Sequence, residues 1–186
     1  GKGVVVGGHP QPHGTENLPN KFTRVIFTFT DKSGLFFNDM RKFGWMRLIP
    51  TTEVSNIDFF RTVGPEPLAA DFTAKDFVDR IQRRSNATIK AALLDQTVIA
   101  GVGNIYADES LWGAKIHPSN RVKDVSRIKL NTLFKELRFV LELAIEKGGS
   151  TDKNYVNAEG KRGSYMDFAR VFRREGPRES FFKTKT

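Results

Sequence analysis

The alternation of apolar and polar positions divides the chain in two. Residues 23–30 read TRVIFTFT, a β-branched and aromatic run that favours an extended strand. Asp31-Lys32-Ser33-Gly34 carries turn chemistry, and Leu35-Phe36-Phe37 resumes the apolar run, so a hairpin is predicted. Residues 44–49 (GWMRLI) predict a third strand. Three strands are few for an independent sheet with managed edges, and the pattern implies a larger sheet continued by sequence before Gly1. Residues 7–20 are broken by Gly7, Gly8, Pro10, Pro12, Gly14 and Pro19 and predict a loop. Pro65 and Pro67 mark residues 63–68 as a linker.

Beyond that linker the apolar period lengthens from two to that of a helix. Residues 73–84 predict a helix with Phe77, Val78 and Ile81 on one face and Thr73 as its cap. Residues 88–95 predict a short second helix with Ile89, Ala92 and Leu93 inward. Residues 104–112 predict a third, capped by Asn104. Residues 126–147 predict the longest, its stripe running through Ile128, Leu130, Leu133, Phe134, Leu137, Val140, Leu141 and Ala144. Gly148-Gly149 is a usual stop. A last strand is predicted at 168–172 in a polar tail. The fold class is α+β.

Composition changes this picture little. Sixteen Phe in 186 residues supply much of the core, and 27% charged residues with 39% apolar ones argue against general disorder. No window approaches eighteen apolar residues, so no membrane-spanning helix is predicted. The opening Gly1-Lys2-Gly3-Val4-Val5-Val6 is too short for a signal peptide. The absence of Cys removes disulfides, thiol catalysis and Cys-based zinc sites, and reads as a reduced, intracellular setting. Charge changes it more. A net +9 and a pI near 9.9 favour a polyanionic partner, chiefly nucleic acid. Residues 151–186 carry nine basic and five acidic groups and are the most basic stretch.

The richest chemistry lies in Ile99-Ala100-Gly101-Val102-Gly103-Asn104-Ile105-Tyr106. One helix ends, Gly101 and Gly103 form a turn, and another helix opens. Such glycines let a ligand approach the backbone, and the helix start attracts an anion. Lys90, one helix earlier, can add a point charge for a phosphate. A tight turn that needs glycine only for its dihedrals is the competing reading. No dinucleotide fingerprint is present, since the third glycine and the preceding strand are lacking. His9 and His13 have no third ligand nearby, so no metal site is expected. Asp108 and Glu109 diverge around a helix and are read as serving its dipole rather than as an acid–base pair. There is no phosphate-binding loop of the nucleotide-hydrolase type and no serine-hydrolase elbow.

The run from Leu94 through Leu111, with Ile116-His117-Pro118 after it, closely resembles the helix–two-turn–helix of the formamidopyrimidine-DNA glycosylase and endonuclease VIII family. Three more blocks agree in order: Asp39-Met40-Arg41-Lys42-Phe43-Gly44, Gly64-Pro65-Glu66-Pro67-Leu68, and Gly148-Gly149-Ser150-Thr151 with Asn157-Ala158-Glu159-Gly160-Lys161. The resemblance covers roughly residues 18–176. It implies the C-terminal part of an antiparallel β-sandwich at 1–62, an interdomain linker at 63–72, an all-helical helix–two-turn–helix domain at 73–149, and a lesion-covering loop with a truncated tail at 150–186.

The family excises oxidised bases from duplex DNA and cleaves the abasic strand, flipping the damaged nucleotide out of the stack. By that resemblance Arg41 and Phe43 would fill the vacated space. Lys90 and Asn104 would grip backbone phosphates, beside Gly101 and Gly103, and Arg84 and Arg24 would add phosphate contacts. Departures also follow. Met40 replaces a proline and would loosen its loop. Phe22 and Arg24 stand where members often carry His, and Phe172 stands where many carry a Tyr. The family's Pro-Glu nucleophile and a catalytic Lys are absent from this opening, so no catalytic residue is assigned and roughly the first third of a member is not here. The four-Cys zinc hairpin is also missing: Glu179 stands at its first Cys, and no cofactor is expected. Arg170, Arg173, Arg174 and Arg178 could still bind phosphates. The expected partner is duplex DNA with an oxidised base or abasic site, bound by a monomer in the bacterial cytoplasm, at the nucleoid. A non-catalytic damaged-DNA-binding paralogue and a structured-RNA-binding protein are the alternatives.

Overall fold

A computed structural model of the chain describes residues 17–151, 156 and 161–172. Expectations for the loop at 7–16, for His9 and His13, for Asn157 to Gly160, and for Arg173, Arg174, Arg178 and Glu179 lie outside the described residues. The chain forms two compact units, Gly1–Val54 with Thr151–Gly163, and Ser55–Ser150 with Ser164–Thr186.

In the first unit β1 (Thr23–Thr28) pairs antiparallel with β2 (Gly34–Asn38), Val25 opposite Phe37 and Thr28 opposite Gly34. The turn forms because the Asp31 carboxylate accepts the Ser33 N–H at 2.9 Å and its hydroxyl at 2.6 Å. Lys32 takes the left-handed conformation this turn needs, at φ 70°. β1 ends at Thr28 because the Phe29 carbonyl is taken by the Lys32 N–H, 2.9 Å away. The third strand predicted at 44–49 does not form. Apolar sequence alone cannot make a strand without a ladder partner. Trp45 and Leu48 stand exposed instead.

Residues 51–62 hold two short helical elements that no periodicity announces. One is the 3₁₀ turn Thr51–Asn56; the other is α1 (Asp58–Thr62), which lacks a side-chain cap. In α1 the Thr62 hydroxyl donates to the Asp58 carbonyl at 2.8 Å.

The second unit is helical. α2 (Ala74–Gln82) opens with a capping box between Thr73 and Asp76. α3 (Ile89–Leu94) is capped by Thr88, and α5 (Arg127–Glu146) by Ser126. α4 (Asn104–Gly113) starts differently from the prediction. Gly103 occupies the cap position and Asn104 is the first helical residue. Apolar faces of all four helices meet in one core, where Phe77 stacks on Phe134 at 5.2 Å and Phe72 meets Phe134 edge-on at 5.7 Å. Each fully buried Leu or Ile there contributes roughly 1.5–3 kcal/mol. Gly113 lets α5 approach α4, since a Cβ would fall on the Glu136 side chain.

α5 ends as expected. Gly148 and Gly149 take φ of 72° and 92°, and their N–H groups donate to the carbonyls of Ile145 at 3.0 Å and Ala144 at 2.8 Å. The chain departs at Ser150 and returns beside the same terminus. The Ser164 N–H donates to Lys147 at 2.8 Å and the Tyr165 N–H to Gly149 at 3.3 Å. The strand predicted at 168–172 is absent. Phe168 closes the 3₁₀ turn Tyr165–Phe168, the Ala169 N–H donates back to Met166, and the N–H groups of Arg170, Val171 and Phe172 are taken by a carboxylate rather than a ladder.

Candidate nucleic-acid interface

The connection from α3 to α4 is built by one side chain. Gln96 donates to the Leu94 carbonyl at 3.2 Å and to the Val102 carbonyl at 3.0 Å, and accepts the Gly101 N–H at 2.9 Å. Asp95 fixes the turn before it by accepting the Thr97 N–H at 2.9 Å and hydroxyl at 2.6 Å. Those bonds, with the Arg84 guanidinium beyond them, hold its carboxyl below the ordinary range. The linker lies against this turn. Gly64 donates to Gln96 at 2.7 Å and a Cβ on it would strike Val98, while Ala100 donates to Pro65 at 3.0 Å.

Within this frame Gly101 and Gly103 differ. Gly101 needs its freedom, at φ 74°. Gly103, at φ −100°, does not. A Cβ on Gly103 would meet nothing within 4 Å. The protein interior therefore gives no reason for a glycine there; the space above it is open. No side chain caps α4, so the positive end of the helix faces that space with Asn104 exposed in its first turn. This is an anion-binding arrangement.

Lys90 flanks the same region on α3. Its ammonium lies 2.8 Å from both oxygens of Asp108, with the two side chains 31% and 37% exposed. Arg84 is placed otherwise. It pairs with Asp95 at 2.8 Å and donates to Thr97 at 3.1 Å, tying the end of α2 to the turn. The reading of Asp108 and Glu109 as dipole partners is corrected, because the first turn of α4 carries no acidic residue. Asp108 serves Lys90. Glu109 is 1% exposed and accepts three successive N–H groups, from Arg170 at 2.7 Å, Val171 at 2.8 Å and Phe172 at 3.2 Å. Arg170 also reaches Glu136 at 3.2 Å. Beside them burial pushes the Tyr165 hydroxyl well up, and the nearby Glu109 adds to the shift. Sequence pattern carries no signal for Gln96 or Glu109 beyond their places in the Leu94 to Leu111 run.

The remaining candidates belong to the hairpin unit. After β2 the Asp39 carboxylate accepts the N–H groups of Arg41 at 3.0 Å, Lys42 at 2.9 Å and Gly44 at 2.5 Å. These bonds, Gly44 foremost, hold its carboxyl below the ordinary 3.8. At the position where Met40 replaces a proline, the loop is tied by these Asp39 hydrogen bonds. Arg24 donates through Nε to the Asp39 carbonyl at 3.0 Å. Phe43 projects, 78% exposed, with the Arg41 guanidinium 5.5 Å from its ring centre. The structure thus groups Arg24, Arg41 and Phe43 in one unit and Arg84, Lys90, Gly101, Gly103 and Asn104 in the other.

Among the described residues no trio of His, Asp or Glu side chains is placed to hold a metal, and no helix is long and apolar enough to cross a membrane. Without a Cys in these 186 residues, a four-thiolate zinc site has no donors here.

Residues 63–155, half of the chain, match the family model for the formamidopyrimidine-DNA glycosylase H2TH domain. A formamidopyrimidine-DNA glycosylase of Listeria innocua is 42% identical over 156 residues, covering 84% of this chain and 57% of the relative. One from Lactiplantibacillus plantarum is 39% identical over 180 residues, covering 94% and 65%. Among solved structures, Lactococcus lactis Fpg in complex with abasic-site DNA superposes with a TM-score of 0.73 at 35% identity, covering 85% of this chain and 57% of that one. Thermus thermophilus MutM (Fpg) gives 0.76 at 32% identity, covering 94% and 63%. The chain spans a little over half the length of most curated relatives it matches. By the matched domain and by these relatives, the chain belongs to the formamidopyrimidine-DNA glycosylase family.

Proposed function

We propose that these residues are the duplex-gripping part of a base-excision repair protein that acts on oxidised purines and abasic sites in the bacterial nucleoid. The observation that carries this reading is the uncapped start of α4 facing open space at Gly103, flanked by Lys90. A backbone phosphate seated there would meet helix N–H groups, the Asn104 amide and an ammonium. Arg41 and Phe43 would enter the stack where a nucleotide has left it, the ring supplying stacking area and the guanidinium polar contacts. The relative solved with abasic-site DNA supports this choice of ligand.

The 186 residues bind and do not excise. Lyase chemistry in this family needs an amine that attacks the sugar and a carboxylate that moves protons, and the 186 residues do not open with the Pro-Glu pair that supplies them in the family. Borohydride trapping on a duplex with one abasic site tests this, run with the Gly1 amine free and then blocked, alongside duplex binding. Retained binding with no covalent adduct is expected. An adduct that requires the free amine would give the chain its own nucleophile and overturn the non-catalytic reading. Preference for structured RNA over duplex DNA would overturn the assignment of ligand.

A further inference from the structure

We infer that Asp108 is a built-in competitor for phosphate at Lys90: its carboxylate holds the lysine ammonium until a nucleic-acid phosphate displaces it. The inference rests on the reading of Lys90 as a phosphate-binding group. The two residues sit on successive helices, α3 and α4, on either side of the glycine turn. The ammonium stands 2.8 Å from each Asp108 oxygen, so the carboxylate straddles it. An ammonium has three N–H donors and no acceptor, and a phosphate oxygen is an anionic acceptor of the same kind as a carboxylate oxygen. The two anions therefore compete for the same hydrogens.

The pair is built to be displaced. With 31% and 37% of the side chains exposed, water and ligand reach it from solvent. A partly exposed pair of this kind favours its closed form by only about 1.4- to 5-fold. Once displaced, the Asp108 charge stays close to the incoming phosphate and repels it. A phosphate therefore prevails at Lys90 most readily where the start of α4 holds it as well. A loose encounter with ordinary duplex, driven by charge alone, meets a lysine already neutralised.

Asp108→Asn keeps the shape and removes the competing charge. Affinities of the full 186-residue chain for an abasic and an undamaged duplex would be measured across a salt series. Four forms would be compared: the parent chain, Asp108→Asn, Lys90→Ala and the double variant, with circular dichroism to check folding. Asp124→Asn, which removes one acidic charge from the same unit, serves as the charge control. The expected result is tighter binding by Asp108→Asn, about two- to tenfold. Its salt dependence should steepen by up to about 0.9 in log–log slope. The gain should vanish in the Lys90→Ala background and exceed that of Asp124→Asn.

Unchanged or weaker binding by Asp108→Asn, with Lys90→Ala still weakening the complex, would overturn the inference and make Asp108 a residue that merely orients the lysine. A gain that survives in the Lys90→Ala background would overturn it in favour of net charge. If the parent chain binds no duplex, or Lys90→Ala changes nothing, the phosphate reading of Lys90 fails first and the inference falls with it.

Discussion

Gly101 and Gly103 stand two residues apart in the turn before α4, and their backbones separate their reasons for being glycine. At Gly101 the left-handed φ of 74° strains any other residue, so Gly101→Ala should cost about 1 kcal/mol of stability in denaturant unfolding. At Gly103 the dihedrals are ordinary and a methyl group would enter empty space. Gly103→Ala should leave the unfolding midpoint almost unmoved and weaken duplex binding several-fold, because the methyl group would stand where the phosphate approaches. Equal effects of the two substitutions on stability would contradict this division. Glu109 marks the opposite extreme, a buried charge answered by three backbone donors. Glu109→Ala strands those donors and the Arg170 guanidinium, and should cost about 3–5 kcal/mol in the same measurement. A loss below about 1 kcal/mol would show that the 170–172 segment is held by something else.

At the scale of elements, the loop after β2 presents Phe43 on a turn held by hydrogen bonds to an ionised Asp39. The folded carboxyl lies below its ordinary 3.8, so its contribution is fully present above that value and is lost as pH falls through the lower folded pKa. The Gly44 amide resonance, followed by NMR, should titrate with a midpoint below 3.8; a midpoint above it would remove Asp39 as the tie. Phe43→Ala should weaken binding to an abasic duplex by about 5- to 150-fold without changing the salt slope, since stacking rather than charge is removed.

The helices are legible in the sequence because their caps and apolar stripes reinforce one another. Thr73 caps α2 as its sequence announces, and Thr88 and Ser126 open α3 and α5 at the first residues of the predicted spans. The stripe of α5 holds from Leu130 to Ala144, but Ile128, expected on it, stands 79% exposed in the first turn. The strands expected at 44–49 and 168–172 fail for a common reason: a strand depends on a partner that local sequence does not name. The start of α4 falls one residue from its expected place because Asn104 is a good cap by type, whereas the turn before it puts Gly103 in the capping conformation. Among the candidate residues the exposed groups are readable by type. The roles of Asp108 and Glu109 are not, because each depends on a contact with a residue distant in the chain, and that of Gln96 is not, because it depends on how the turn folds back on it.

For the whole molecule, a net charge of +9 sets the long-range attraction while a few side chains set the grip. Arg24 and Lys90 as phosphate contacts predict a log–log salt slope of about −1.8 for duplex binding. Fluorescence anisotropy from low to physiological salt would measure it, and a slope near zero would remove phosphate neutralisation as the basis of affinity.

The excursion that leaves α5 at Gly149 and returns at Ser164 begins and ends on the same helix terminus, its two ends stapled to Lys147 and Gly149. A closed excursion costs the helical unit little for its length, about 0.6 kcal/mol per doubling. The core of the helical unit is therefore insulated from the length of this connection: inserting a few residues between Thr151 and Gly163 should leave that unit's unfolding midpoint almost unmoved.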